Sequence, residues 1–332
     1  MLPFKLVYSD GYYLPIGAHV FPAEKYRLIH RHLLDTGIAE PGDFMTPQPA
    51  CDDDIRLVHT REYVQKLKTG TLSAMEELQM EVPYSPELVQ AFWLAAGGSI
   101  LAADLALRSG MAFNIGGGFH HAFPDHGEGF CVVHDVAVAI KRMHQEGKIT
   151  RAMTVDLDVH NGNGTAAIFP PKKKPGNLPS AGGIRQDIRR SSGDLDMLGA
   201  SDGELEVFTI SLHQAHNYPV YKPPSSIDVH LPDATNDEEY LGWLDQALSS
   251  AFRNFEPELL CYMAGADPYK EDQLGGLALT IEGLKRRDEL VMKVAKARGV
   301  PVMVTFAGGY ARKVEDTVTI HCNTVVAAKE LA

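Results

Sequence analysis

The sequence predicts an α/β fold: a mostly parallel sheet with helices on both faces. Three observations predict it. Segments of helical spacing alternate with short apolar runs along the whole chain. Most of those runs are apolar throughout rather than alternating, as strands covered on both faces are. No internal repeat and no linker divides the 332 residues, so a single domain is expected over 1–332.

The elements follow in order. "KLVYS" (5–9) reads as a short first strand, and residues 23–36 have helical spacing that stops before Gly37. A helix is expected over 60–69 and another over 86–108, opened by "PEL" and closed by Gly110. "MAFNI" (111–115) is a short strand that feeds a glycine run, and "DVAVAIKRMHQEG" (135–147) is a helix closed by Gly147. "RAMTVDLDV" (151–159) and "LEVFTISLH" (205–213) are strands, followed by a helix over 237–254. "ELLCYMAGAD" (258–267) is a strand ending on an acid, and 280–298 is a helix. "VPVMVTFAGGY" (300–310) is a strand ending in Gly-Gly-Tyr, before a last helix over about 313–331. Residues 170–204 are rich in Pro, Gly, Ser and charge and are expected to form a long surface excursion between two strands.

Hydrophobic residues make up 45% and charged residues 22% of the chain, ordinary for a globular protein. A formal net charge of −12 argues against nucleic acid as a direct partner and would attract a basic protein or tail. Cys51, Cys131, Cys261 and Cys322 form no CxxC pair and are expected as buried free thiols in a reducing, cytoplasmic compartment. The N-terminus lacks a signal-peptide pattern, and no apolar run is read as approaching the roughly 20 residues of a membrane span.

Polar groups stand at four expected strand ends: His120 and His121, then Asp156, Asp158 and His160, then Asp267, then Tyr310. In a parallel sheet the carboxyl ends of strands share one edge, where ligands bind, so residues remote in sequence can converge. A lone acid at a strand end more often caps a helix or forms a turn. Asp156, Asp158 and His160, however, alternate with Leu157 and Val159, which puts all three on one side. Burying three such groups is costly unless a cation compensates them. Asp158, His160 and Asp267 would give two carboxylates and an imidazole, leaving a catalytic metal an open position. His120 and His121 suit proton transfer near neutral pH, with Asp156 and Asn163 placed to orient them. Two structural histidines in a turn is the other reading of that pair. Tyr310 behind Gly308-Gly309 could aim its phenol at a developing oxyanion, although Gly-Gly-Tyr by itself usually marks a turn.

Taken together, "GGGFHHA", "DLDVHNGNGT", "ISLH", "AGADPYKEDQLGGL" and "FAGGY" resemble, in that order, the zinc-dependent histone deacetylase superfamily. "GNG" and "EDQLGGLALTIEGLKRRDELV" look most like class IV enzymes and their bacterial relatives. The resemblance implies an arginase-like fold with a central sheet of about eight strands. It implies hydrolysis of an acyl amide on a lysine-like amine, with Zn2+ on Asp158, His160 and Asp267; Fe2+ or Co2+ would also accept that set. By the same resemblance His121 is the general base and acid, His120 its partner paired with Asp156, and Tyr310 the oxyanion donor. Gly129 and Phe130 match the floor and wall of an acyl-lysine tunnel, Tyr218 its opposite wall, and Leu274 its mouth. Asp156, Ser211, Leu212 and His213 match a structural K+ site built largely from carbonyls.

Three departures from class I enzymes stand out: Asn163 replaces an aspartate, Lys25 stands near an inner-channel arginine, and 170–204 is inserted. Their rim aspartate has no clear counterpart; Glu81 is the candidate. The expected partner is an acyl-lysine protein or peptide. A small acylated amine such as an acetylpolyamine is the alternative: the apolar Leu274 weakens it, and Glu271 and Asp272 nearby keep it open. A silent acyl-lysine reader should have lost a ligand or the tyrosine, and here all are present.

Overall fold

A computed structural model describes residues 1–172 and 203–331; the expected excursion at 170–204 lies almost wholly outside them. Among the described residues eight strands form one sheet: β1 (Lys5–Val7), β2 (Phe44–Met45), β3 (Met111–Asn114), β4 (Arg151–Asp156), β5 (Glu206–Gln214), β6 (Ile227–Leu231), β7 (Leu259–Met263) and β8 (Val302–Thr305). Their spatial order is β2-β1-β3-β8-β7-β4-β5-β6, and every pairing is parallel. The expected mostly parallel sheet of about eight strands is thus observed as an all-parallel one. All residues of β7 and β8 are buried, which accounts for their apolar sequence as far as Thr305, the last residue of β8.

The helices are α1 (Lys25–Asp35), α2 (Asp52–Ile55), α3 (Arg61–Thr69), α4 (Ala74–Met80), α5 (Pro86–Ser109), α6 (Asp135–Gln145), α7 (Asn163–Ile168), α8 (Asp237–Asn254), α9 (Ile281–Ala297) and α10 (Val314–Leu331). One group packs in succession as α1, α10, α9 and α8, while α5 packs with α6 and crosses β1, β3, β8 and β7. The punctuation read in the sequence sets their ends. The Ser85 side chain accepts from Leu88 N at the start of α5, Pro86 occupies its first turn, and Gly110 closes it in the left-handed region at φ 87°.

Three expectations are corrected. α5 is, by length and composition, apolar enough to cross a bilayer, but 67% of its apolar window is buried inside the protein; its Ala-rich surface lies against the sheet and α6. Cys51 is exposed, while the other three cysteines are buried free thiols. Strands β4, β7 and β8 stop at Asp156, Met263 and Thr305, so Asp158, His160, Asp267 and Tyr310 stand in the loops beyond them. Past β4 the backbone turns onto its own side chains: Asp158 N donates to Asp156 Oδ1 and His160 N to Asp158 Oδ1.

The order of the sheet places the site. β3, β8, β7 and β4 are consecutive neighbours, and the loops at their carboxyl ends carry His120–His121, Tyr310, Asp267 and Asp158–His160 respectively. The loop after β5, next in order, carries Tyr218.

Candidate active site

The site is built around three buried side chains. One ligand atom each from Asp158, His160 and Asp267 lies within 4.8 Å of the others. His160 Nδ1 is 2.9 Å from Asp158 Oδ1 and 3.4 Å from Asp267 Oδ2. Backbone amides hold the carboxylates in place: Gly308 N donates to Asp158 Oδ2 at 2.8 Å and Val159 N to Asp267 Oδ1 at 2.8 Å. Asp267 Oδ2 is buried and, among the described residues, has no hydrogen-bond partner of proper geometry, His160 Nδ1 being its long neighbour. A β-carbon on residue 308 would collide with both carboxylates, so only glycine lets this loop close over them.

The electrostatics ask for a cation. Burial disfavours the His160 imidazolium, yet Asp158 and Asp267 outweigh it and push the pKa up to about 10. Burial and the neighbouring Asp158 charge push Asp267 up to about 7. A cluster that draws protons onto an imidazole and a carboxylate, and leaves a buried carboxylate oxygen unpartnered, fits a divalent metal held by two carboxylates and one imidazole.

His120 and His121 enter from the loop after β3, their ring centroids 4.1 Å apart. The glycines before them are required by contact. A β-carbon on Gly117 would strike the Asp135 carboxylate, and one on Gly118 would lie 2.9 Å from Ala307 Cα. Asp135 anchors this loop by accepting from Gly118 N and Phe119 N. Each imidazole then has its own partner. His120 Nδ1 donates to Asp156 Oδ2 at 2.6 Å, and His121 Nδ1 donates to Asn163 Oδ1 at 2.7 Å. The two rings diverge electrostatically. Burial opposes the charged form of His120, but Asp156 and Asp158 prevail and raise it to about 9. Burial, with the charges of His120 and His160, lowers His121 well below its ordinary value.

Tyr310, Phe130, Gly129 and Tyr218 stand beside this cluster and its histidines. The Tyr310 ring centroid is 6.3 Å from that of His160 and 6.0 Å from that of Phe130. The Tyr218 ring meets His121 edge-on at 5.0 Å. Gly129, at φ 53°, lies so close that a β-carbon would sit 2.8 Å from His121 Cδ2 and 3.0 Å from Tyr218 Cε1. Burial raises the Tyr310 phenol well above its ordinary value, so it stays protonated. Leu274 is half-buried, its carbonyl accepting from Asn217 Nδ2 at 2.7 Å. Ser211 pairs with Asp156 across β4 and β5, and its hydroxyl lies 2.8 Å from His213 Nδ1.

The structure adds one residue that sequence reasoning missed, Glu128, and gives Asp272, read in the sequence as an acid near the mouth, a different task. Asp272 clamps the tyrosine loop: its Oδ2 accepts from Tyr310 N at 2.6 Å, while its Oδ1 accepts from Leu274 N and Gly275 N. Glu128 accepts from Asn163 Nδ2 at 2.6 Å and from the Tyr218 hydroxyl at 2.8 Å. The only local signal for either was an acid set among glycine and apolar residues, in "GEGF" and "EDQLGG". Lys25 is fully buried, and its Nζ donates to Ala307 O at 2.6 Å; burial lowers it to about 8 against the pull of Asp267 and Asp158.

The likeness to known proteins covers the same elements. An uncharacterized protein of Picosynechococcus is 37% identical over 329 residues, 99% of each chain. Histone deacetylase 2 of Arabidopsis thaliana is 32% identical over 330 residues, covering 94% of this chain and 77% of that protein. The crystal structure of an HDAC homolog from Aquifex aeolicus matches in fold with a TM-score of 0.75 at 23% identity, over 98% of this chain and 82% of that one. The sequence profile of the histone deacetylase domain matches residues 19–325, from just before α1 to near the end of α10, and the chain belongs to that family.

Proposed function

We propose that the protein is a metal-dependent amide hydrolase that removes acyl groups from acylated lysine side chains. The observation that carries this is the convergence of three features: the buried Asp158–His160–Asp267 group, a neutral histidine, and a buried protonated tyrosine. Zn2+ is the metal proposed, with Fe2+ or Co2+ compatible with the same donors. When bound, such a metal supplies Lewis-acid polarisation of the acyl oxygen and acidifies water.

The chain's own residues do the rest. His121 Nε2, whose ring is held through Nδ1 by Asn163, takes a proton from the attacking water. The water oxygen bonds to the acyl carbon, and Tyr310 donates a hydrogen bond to the resulting oxyanion. His120, held as a cation by Asp156, adds positive charge beside the developing negative charge. The C–N bond breaks as His121 returns its proton to the leaving amine. Phe130 and Tyr218 flank an extended apolar stem such as that of lysine and exclude water from it. A structural K+ on Asp156, Ser211 and Leu212 belongs to the same proposal.

One observation favours a small acylated amine instead. Glu81 and Glu128 lie close enough that partial burial and then the Glu128 charge raise the Glu81 carboxyl, and Glu128 bonds the Tyr218 hydroxyl, which supports acidic groups near the proposed tunnel wall. A rate panel decides: several acyl groups on one lysine peptide, alongside acetylated polyamines. The lysine reading expects peptide hydrolysis to dominate kcat/KM. A polyamine preference would replace it with the second reading, and no hydrolysis of any acyl amide would remove both.

A further inference from the structure

We infer that Glu128 is a positioning residue for His121: it fixes the orientation of the Asn163 amide, and through that amide the tautomer of the base. The inference rests on the hydrolase reading above. It starts from the donors and acceptors available. An asparagine amide presents an acceptor at one end and donors at the other, and it can in principle face either way. Here a carboxylate, which only accepts, stands 2.6 Å from Asn163 Nδ2. At the other end the Gly164 N–H, which only donates, reaches Asn163 Oδ1 at 3.1 Å. A flipped amide would set oxygen against carboxylate and NH2 against N–H, unfavourable at both ends. Oδ1 therefore faces His121 Nδ1 at 2.7 Å, and that nitrogen must carry the hydrogen. In the neutral ring the lone pair is left on Nε2, the nitrogen proposed to take the proton.

Glu128 is itself built into place. Its backbone bridges Cys131 in both directions, Glu128 N to Cys131 O and Cys131 N to Glu128 O. A β-carbon on Gly127 would press on the Tyr63 hydroxyl at 2.7 Å and Cys131 O at 2.8 Å. Gly129 and Phe130 follow with φ of 53° and 67°, two left-handed residues in succession, the second at real steric cost. The side chain is 15% exposed and is gripped from outside by Gln79 Nε2 at 3.3 Å and His126 Nε2 at 3.5 Å. The oxygen that holds Asn163 also accepts from the Tyr218 hydroxyl at 2.8 Å. One carboxylate thus ties the base to the tunnel wall that packs against it.

The test has two arms. In the first, metal-replete wild-type protein labelled with 15N-histidine is studied by NMR near neutral pH. His121 is expected with its hydrogen on Nδ1 and a bare Nε2, and Glu128→Ala is expected to give a mixture of tautomers. A wild-type ring protonated on Nε2 instead, or a folded Glu128→Ala variant that keeps the single Nδ1–H tautomer, would overturn the inference, and this arm needs no known substrate. The second arm measures kcat on an acetyl-lysine peptide. Glu128→Ala should lower kcat by about tenfold or more, the range usual for a partner of a site residue. In an Asn163→Ala background the same substitution should cost less than about twofold, because its effect passes through the missing amide. Glu128→Gln should regain most of the lost kcat, since its carbonyl oxygen can accept from both Asn163 and Tyr218. An equal loss in both backgrounds would overturn the inference. If no acyl amide is hydrolysed, the proposed activity fails while the tautomer arm still decides the role of Glu128.

Discussion

At His121 burial and two neighbouring imidazoles act together to keep the ring neutral, while Asn163 and Asp158 pull the other way and are outweighed. A base must be neutral to accept a proton, so the acid limb of kcat/KM should lie below the ordinary histidine range. An aspartate at 163 would favour the imidazolium and move that limb to higher pH. The nearby Glu128 carboxylate complicates the change, because two carboxylates would then meet. The substitution is therefore made as Asn163→Asp with Glu128→Gln, whose amide can donate to the new acid. An acid limb that stays in place in the folded double variant would show that His121 is not the titrating base. Tyr310 has a simpler test. Tyr310→Phe should lower kcat by roughly 10²–10³, the usual scale for one oxyanion donor, with metal content unchanged. An unaltered rate would mean the phenol points elsewhere.

At the scale of elements, helices carrying their own start and stop signals were legible. α5 has Ser85 and Gly110, and α8 has the Asn236–Glu239 capping box. Less legible were α4, only seven residues long with Met75 and Leu78 exposed, and β6, whose buried and half-buried residues alternate over five positions. The metal-ligand candidates could be read because motif loops carry them. Glu128 could not, because its partners Asn163 and Tyr218 lie 35 and 90 residues away and only the fold brings them together. Loop closure gives a prediction: Gly308→Ala drives a methyl into the Asp158 and Asp267 carboxylates. Metal affinity should fall by about tenfold or more in competition with a chromophoric chelator; unchanged affinity would contradict the geometry. A second concerns the start of α6. His134 N donates to His59 Nε2 at 3.0 Å, and burial lowers His59 to about 4. The depressed value makes this contribution complete above about pH 6.5 and progressively lost as pH falls toward 4. Urea unfolding at pH 5 should show about 2 kcal/mol less stability than at pH 7 from this group. His59→Gln, which can still accept from His134, should remove that part of the pH dependence, and an undiminished dependence would refute it.

At the scale of the whole molecule, the sheet order matters most. The four loops bearing the proposed chemistry follow four adjacent strands, β3, β8, β7 and β4, so one edge of one sheet assembles groups up to 190 residues apart, from His120 to Tyr310. The net charge of −12 should also be felt at a distance. For a basic acyl-lysine peptide kcat/KM should fall as ionic strength rises through the range where the Debye length drops from about 30 to 8 Å. A neutral acyl-lysine peptide should be nearly insensitive, and equal salt dependence for both would exclude long-range steering. The central claim is that Asp158, His160 and Asp267 hold a metal on which hydrolysis depends. The most direct measurement is release of free amine from an acetyl-lysine peptide by chelator-stripped protein, its metal content verified by elemental analysis, before and after stoichiometric Zn2+ is restored. The stripped protein should be inactive and regain its rate with Zn2+, whereas Asp267→Ala should regain nothing. Full activity in protein shown to be metal-free would contradict the account.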